Sequence, residues 1–198
     1  MSMNAEELEL KERLKLIESM IGEGRRTTES WGWTFVLWGV AYYVAILWTA
    51  FGHSHWAWPV TMLSACALTA AISVWKKGRQ PRTTMNRAIA SMWIAMGITM
   101  LLLFPALGFS GRMDQHIMIA VVSGMLGTTN AASSMALRWK MQFACAVVWW
   151  ATAVYACFGA SKPLTVAFLG AIFFCQIVFG IYGMVAQRRD NRGEARNA

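Results

Sequence analysis

Residues 31–75 read WGWTFVLWGVAYYVAILWTAFGHSHWAWPVTMLSACALTAAISVW, and they contain no Asp, Glu, Lys or Arg. With Ser30 the uncharged run is 46 residues long. That is twice the roughly 20 apolar residues a helix needs to cross a hydrocarbon layer of ~30 Å. Gly52-His53-Ser54-His55 interrupts it with a polar, Gly-containing turn, so the run predicts two spans, Trp31–Phe51 and Trp56–Trp75. Working outward, four more uncharged gaps follow: 24 residues between Arg87 and Arg112, 23 between Asp114 and Arg138, 21 between Lys140 and Lys162, and 25 between Lys162 and Arg188. Each is one helix long. They predict spans at Ala88–Phe109, Ile117–Leu137, Met141–Phe158 and Leu164–Ala186.

Composition excludes the other classes. Hydrophobic residues make up 57% of the 198 and charged residues 14%, a balance that neither a soluble domain nor a disordered chain shows. The runs lack the alternation of barrel strands and are about twice as long. A backbone in lipid must satisfy its own hydrogen bonds, which leaves helices. The expected fold is an all-α polytopic membrane protein of six transmembrane helices, preceded by a cytoplasmic amphipathic helix. The expected organisation is helix and linker over 1–28, membrane domain over 29–187 and a basic, frayed tail over 188–198.

Lys and Arg set the orientation. Sixteen of the eighteen fall on the side of the two termini, and only Arg112 and Lys162 on the other. Both termini are therefore expected in the cytoplasm. The net charge of +8 is a consequence of topology, so nucleic acid is not an expected partner. No cleavable signal peptide is expected, because the residues before Trp31 are acidic and amphipathic without an apolar core. Cys66, Cys145, Cys157 and Cys175 all lie in spans without metal-ligand or secreted spacing, and read as small packing residues.

Before the first span, Leu10, Leu14, Ile17 and Ile21 recur at i, i+4, i+7 and i+11, an apolar stripe on a helix over residues 5–23 that Gly22 and Gly24 should end. Its other faces carry six Glu against Lys11, Arg13 and Lys15. A net of −3 is the wrong sign for lying on an anionic leaflet. The stripe is expected to dock on protein: its own bundle, a second copy in a homo-oligomer, or a cytoplasmic partner.

The outward ends of the odd-numbered spans read Phe51-Gly52-His53-Ser54, Leu107-Gly108-Phe109-Ser110 and Phe158-Gly159-Ala160-Ser161, each near a Pro. Three repeated helical hairpins would produce this, and so would shared turn chemistry alone.

No ionisable acid or base lies within any span, which argues against proton relays and ion-coupled pumps. Without a GxSxG, HExxH or Walker motif, no enzymatic activity and no cofactor are expected. The fourth span is rich in small and polar residues. Ser123, Gly127, Asn130 and Ser134 share one face and, with Gln142 and Gln176, form a candidate groove for a neutral polar ligand. The same residues would serve plain helix packing. His53, His55, Asp114 and His116 gather on the outer face, as candidate ligands of a periplasmic metal site or as ordinary interfacial residues. Three functions follow: an interaction or regulatory membrane component acting through the N-terminal helix, a carrier or channel for a neutral or lipophilic solute, and a metal sensor.

Leu16-Ile17-Glu18-Ser19-Met20-Ile21, followed by Trp31-Gly32-Trp33 and Leu37-Trp38-Gly39, resembles the start of a group of small uncharacterised bacterial six-span inner-membrane proteins. Those begin with an amphipathic "IExMI" helix and enter a first span containing "LWGW" or "LWG". The resemblance covers about the first 45 residues and implies a bacterial inner-membrane setting, without an activity or site residues.

Overall fold

The computed structural model describes residues 5–52, 56–76, 84–112 and 114–197. Among the described residues there is no strand. The elements are α1 (Ala5–Ser30), α2 (Gly32–Gly52), α3 (Ala57–Lys76), α4 (Thr84–Phe109), α5 (Gln115–Leu137), α6 (Lys140–Phe158) and α7 (Ser161–Ile172), which passes through a π-helical turn (Phe173–Val178) into α8 (Phe179–Asn197). α2 to α6 and the continuous last helix are each long and apolar enough to cross a membrane. The protein is a six-span, all-helical membrane protein, and its apolar spans, 32–52, 57–75, 87–109, 115–137, 140–158 and 161–189, fall within three residues of those read from the uncharged gaps.

Two boundaries differ from expectation. Gly22 and Gly24 do not end α1, which continues to Ser30, and Trp31 alone separates it from α2. Among the described glycines only Gly111 takes positive φ, at 66°. Gly22 and Gly24 thus stay helical, each at a cost of about 1 kcal/mol relative to Ala. Nor does the helix stop at Arg188. α8 runs on to Asn197, because residues 188–197 contain no Pro and the ladder of the last span simply propagates.

The core forms around α5. In its most apolar 18-residue stretch 56% of the residues are buried, whereas the corresponding stretch of α4 has none and Ile89 is the one buried residue among those described in that helix. α5 and α6 are the most intimately packed pair, although they belong to different hairpins of the repeat suggested by the sequence. Their connection is very short. Arg138 takes left-handed angles (φ 50°, ψ 41°) and Trp139 an extended one, and Trp139 N–H closes on the Ser134 carbonyl at 2.9 Å. This is a Schellman-like stop with Arg where Gly is usual. The three outward ends also differ in detail. Gly52 is still helical, Gly111 rather than Gly108 takes the left-handed turn after α4, and Gly159 is extended. Shared composition does not produce a shared turn here.

Small residues set the remaining contacts. A Cβ on Gly32 would lie 2.5 Å from the Gly180 carbonyl oxygen, and one on Gly180 would lie 2.6 Å from the Gly32 carbonyl oxygen, so α2 and α8 touch backbone to backbone. In lipid, helices associate by close packing because there is no water to escape from. Phe35 fits above this contact, edge-on to Phe179 (5.3 Å) and Trp93 (5.2 Å). α4 adds a single stripe of Ile89, Trp93, Met96, Met100 and Phe104 to the core, at the 3.6-residue period of one helix face.

Candidate functional site

Three groups of residues were expected to carry function, and the fold treats them differently. The first is the apolar stripe of α1. Leu10 is 61% exposed, Leu14 53% and Ile17 52%, and Ile21 is half-buried. Every described side chain from Glu7 to Ser19 is exposed. α1 does touch α8, α4 and α5, yet Leu10, Leu14 and Ile17 of the stripe stay open. Leu16, off the stripe, is 61% exposed as well. Arg13 Nη2 donates to Glu9 Oε1 at 2.6 Å on the same helix, an open i, i+4 pair of little energetic weight.

The second group is the polar set of α5, α6 and the last span. Ser123, Asn130, Ser133, Ser134, Gln142 and Gln176 are all buried to 3% exposure or less. Gly127 lies under the Trp150 indole, where a Cβ would collide with the ring, and so fixes the α5–α6 register. Local hydrogen bonds satisfy part of the set. Asn130 Nδ2 donates to the Leu126 carbonyl (2.8 Å), Ser134 Oγ to the Ala131 carbonyl (2.7 Å), and Trp93 Nε1 crosses from α4 to Ser133 Oγ (3.2 Å). Ser123 Oγ, Asn130 Oδ1, both amide atoms of Gln142, Gln176 Oε1 and Trp149 Nε1 have no hydrogen-bond partner. Each such atom costs roughly 1–3 kcal/mol when dry. Gln176 sits in the π-helical turn beside Gly39, whose added Cβ would be 3.0 Å from Gln176 Cβ, and its neighbour Cys175 points its thiol at the Cys145 carbonyl (3.7 Å). Asn130, Ser134, Gln142 and Gln176 lie in the half of the bundle nearer the N-terminal helix, and Ser123 in the other half. All are shut off from solvent. An open hollow lies elsewhere, an apolar trough of about 550 Å³ on one face of α6, lined by Val147, Trp150, Ala151, Val154, Tyr155 and Phe158.

The third group is the outer histidines. His53 and His55 lie outside the described residues. His116 bridges three helices: Nδ1 donates to the Ala156 carbonyl of α6 at 2.9 Å, which leaves Nε2 to accept from Ser161 Oγ of α7 at 3.0 Å. Asp114 accepts from Ile117 N–H at 2.9 Å as the N-cap of α5, and Gln115 Nε2 donates to Thr165 Oγ1 at 2.6 Å. Both imidazole nitrogens are thus engaged in joining helix ends, and one carboxylate oxygen in capping α5. No cluster of three or more His, Cys, Asp or Glu able to hold a metal occurs among the described residues. All four cysteines are free, Cys145 and Cys175 buried, Cys66 and Cys157 exposed.

Sequence reading missed the Gly32–Gly180 contact, the π-helical turn and the His116 bridge. Only the first left a signal, in the small residues Gly32 and Gly39 of α2 and Gly180 and Gly183 of α8 spaced along one face. Comparisons with protein-family models, curated proteins and solved structures return no match to this chain.

Proposed function

We propose that the protein is a non-enzymatic component of a bacterial inner membrane, with both termini in the cytoplasm, that works by docking through α1. One observation carries this reading. α1 lies outside the spans, where water is the solvent, and yet it holds Leu10, Leu14 and Ile17 more than half exposed. In water such a stripe is a binding face until something covers it. The orientation rests on the Lys and Arg count, sixteen on the α1 side against two opposite. Deleting residues 5–24 tests the proposal. The spans should still insert, and oligomers or co-purifying partners should disappear. An unchanged native mass and unchanged partners after the deletion would rule it out.

A second reading, passage or binding of a neutral polar solute, is favoured by the unpartnered amide atoms of Gln142, Asn130 and Gln176. A hydrated or ligand-bound conformation would satisfy them. Cys145 and Cys175 report on it. Reaction of these buried thiols with a small water-soluble thiol reagent in bilayers supports opening, and complete protection counts against it.

A further inference from the structure

We propose that the occupant of the α1 stripe is a second copy of α1, lying parallel to the first in heptad register. This rests on the reading of α1 as a docking helix and adds the partner and the geometry. The spacing of Leu10, Leu14, Ile17 and Ile21, at four, three and four residues, is that of consecutive d, a, d and a positions of a coiled coil. The assignment then fixes the flanks without further choice. Lys11 and Glu18 are e positions, and Glu6 and Arg13 are g positions.

In parallel coiled coils a g residue faces the e residue five positions later on the other chain. Glu6 thereby faces Lys11 of the second copy, and Arg13 faces Glu18. Both pairings join opposite charges, in each direction, and neither sets like charges together. The net −3 of the helix, unfavourable for a lipid surface, is compatible with this partner because charge is matched locally. Three of the four seam residues, Leu10, Leu14 and Ile17, are also openly accessible, and Ile21 is half-buried. The Arg13–Glu9 pair that pairing would disturb is itself open to solvent. Two heptads are short for a coiled coil in solution. Two chains inserted in one bilayer with one topology supply the high local concentration that makes a short seam sufficient.

The experiment uses the full chain, labelled at its C-terminus with donor or acceptor and co-reconstituted in phospholipid vesicles at varied protein-to-lipid ratios. Energy transfer reads association. The wild type should associate, and Leu14→Ala with Ile17→Ala should not. Arg13→Glu alone places Glu against Glu18, and Glu18→Arg alone places Arg against Arg13. Each should weaken self-association about tenfold. Mixing the two single variants should restore it, because every g–e pair is then opposite in charge again. No wild-type transfer, or transfer indifferent to the single reversals, overturns the proposal. Labelling of Leu14→Cys by a water-soluble maleimide in native membranes, with Cys66 and Cys157 replaced by Ala, separates the two levels of the argument. A shielded Leu14→Cys in a chain that shows no transfer overturns self-pairing but leaves α1 as a docking helix for another partner. A freely labelled one, again without transfer, overturns both.

Discussion

Helix α1 holds Leu10, Leu14 and Ile17 in the open, whereas α5 hides Ser123, Asn130, Ser133 and Ser134 from any solvent. The two helices sort their side chains in opposite senses because their surroundings differ. Around α5 the outside is hydrocarbon, so leucine gains nothing by being inside, and the interior goes to residues small enough for close approach or able to hydrogen-bond. α1 is not among the apolar spans; on the function proposed above its surroundings are water, where an open leucine stripe is a deficit that a partner removes. The contrast teaches that exposure has no fixed meaning along this chain. Leu102 at 68% is at rest in lipid, and on that proposal Leu10 at 61% is not at rest in water.

The largest expected effect breaks the packed side of the comparison. Gly180→Leu forces the α2 and α8 backbones apart and should cost about 3 kcal/mol, read as earlier unfolding in detergent. If stability is unchanged, the backbone contact at Gly32 is not what holds these helices. Next in size, and opposite in sign, is Gln142→Met. Both amide atoms are buried without partners, and an apolar side chain of similar length removes that penalty. The variant should gain roughly 1–3 kcal/mol. A loss would mean that the amide is satisfied in a conformation the protein visits, and would move weight to the solute-binding reading. Arg138→Gly comes third, since the left-handed angles at the α5–α6 stop suit Gly better. A gain of about 1 kcal/mol is expected, while a loss would show that the Arg side chain contributes more than its backbone conformation costs. The smallest effect is the other half of the contrast. Leu14→Glu on the open stripe should leave bundle stability within about 0.5 kcal/mol while abolishing association. A large loss of bundle stability would place α1 in the core.

The spans were legible because the signal is composition over a long window, and no packing detail can turn a run such as residues 31–75 into a soluble segment. Span ends agreed because Lys and Arg mark them. The limits of α1 and α8 were less legible. Glycine weakens a helix without ending it, and the backbone continues wherever nothing competes for its hydrogen bonds. The polar set of α5 was visible as a face, since Ser123, Gly127, Asn130 and Ser134 recur on one side of a helix. Whether that face would line a space or be sealed was not visible. The answer depends on Trp150 over Gly127 and on Gln142 and Gln176 arriving from other helices. His116 likewise had two prospects in the sequence, and its reach to Ala156 and Ser161, 40 and 45 residues away, was visible in neither.

By itself, then, the sequence determined the number, limits and alternation of the spans and the apolar stripe on α1, because these follow from solvent preference summed along the chain. Only the tertiary structure decided that the polar face of α5 is buried, that α2 and α8 meet at glycine, and that Leu10, Leu14 and Ile17 are left open. Those outcomes depend on which surfaces arrive at the same place, and residues far apart in the chain share no local signal of that meeting.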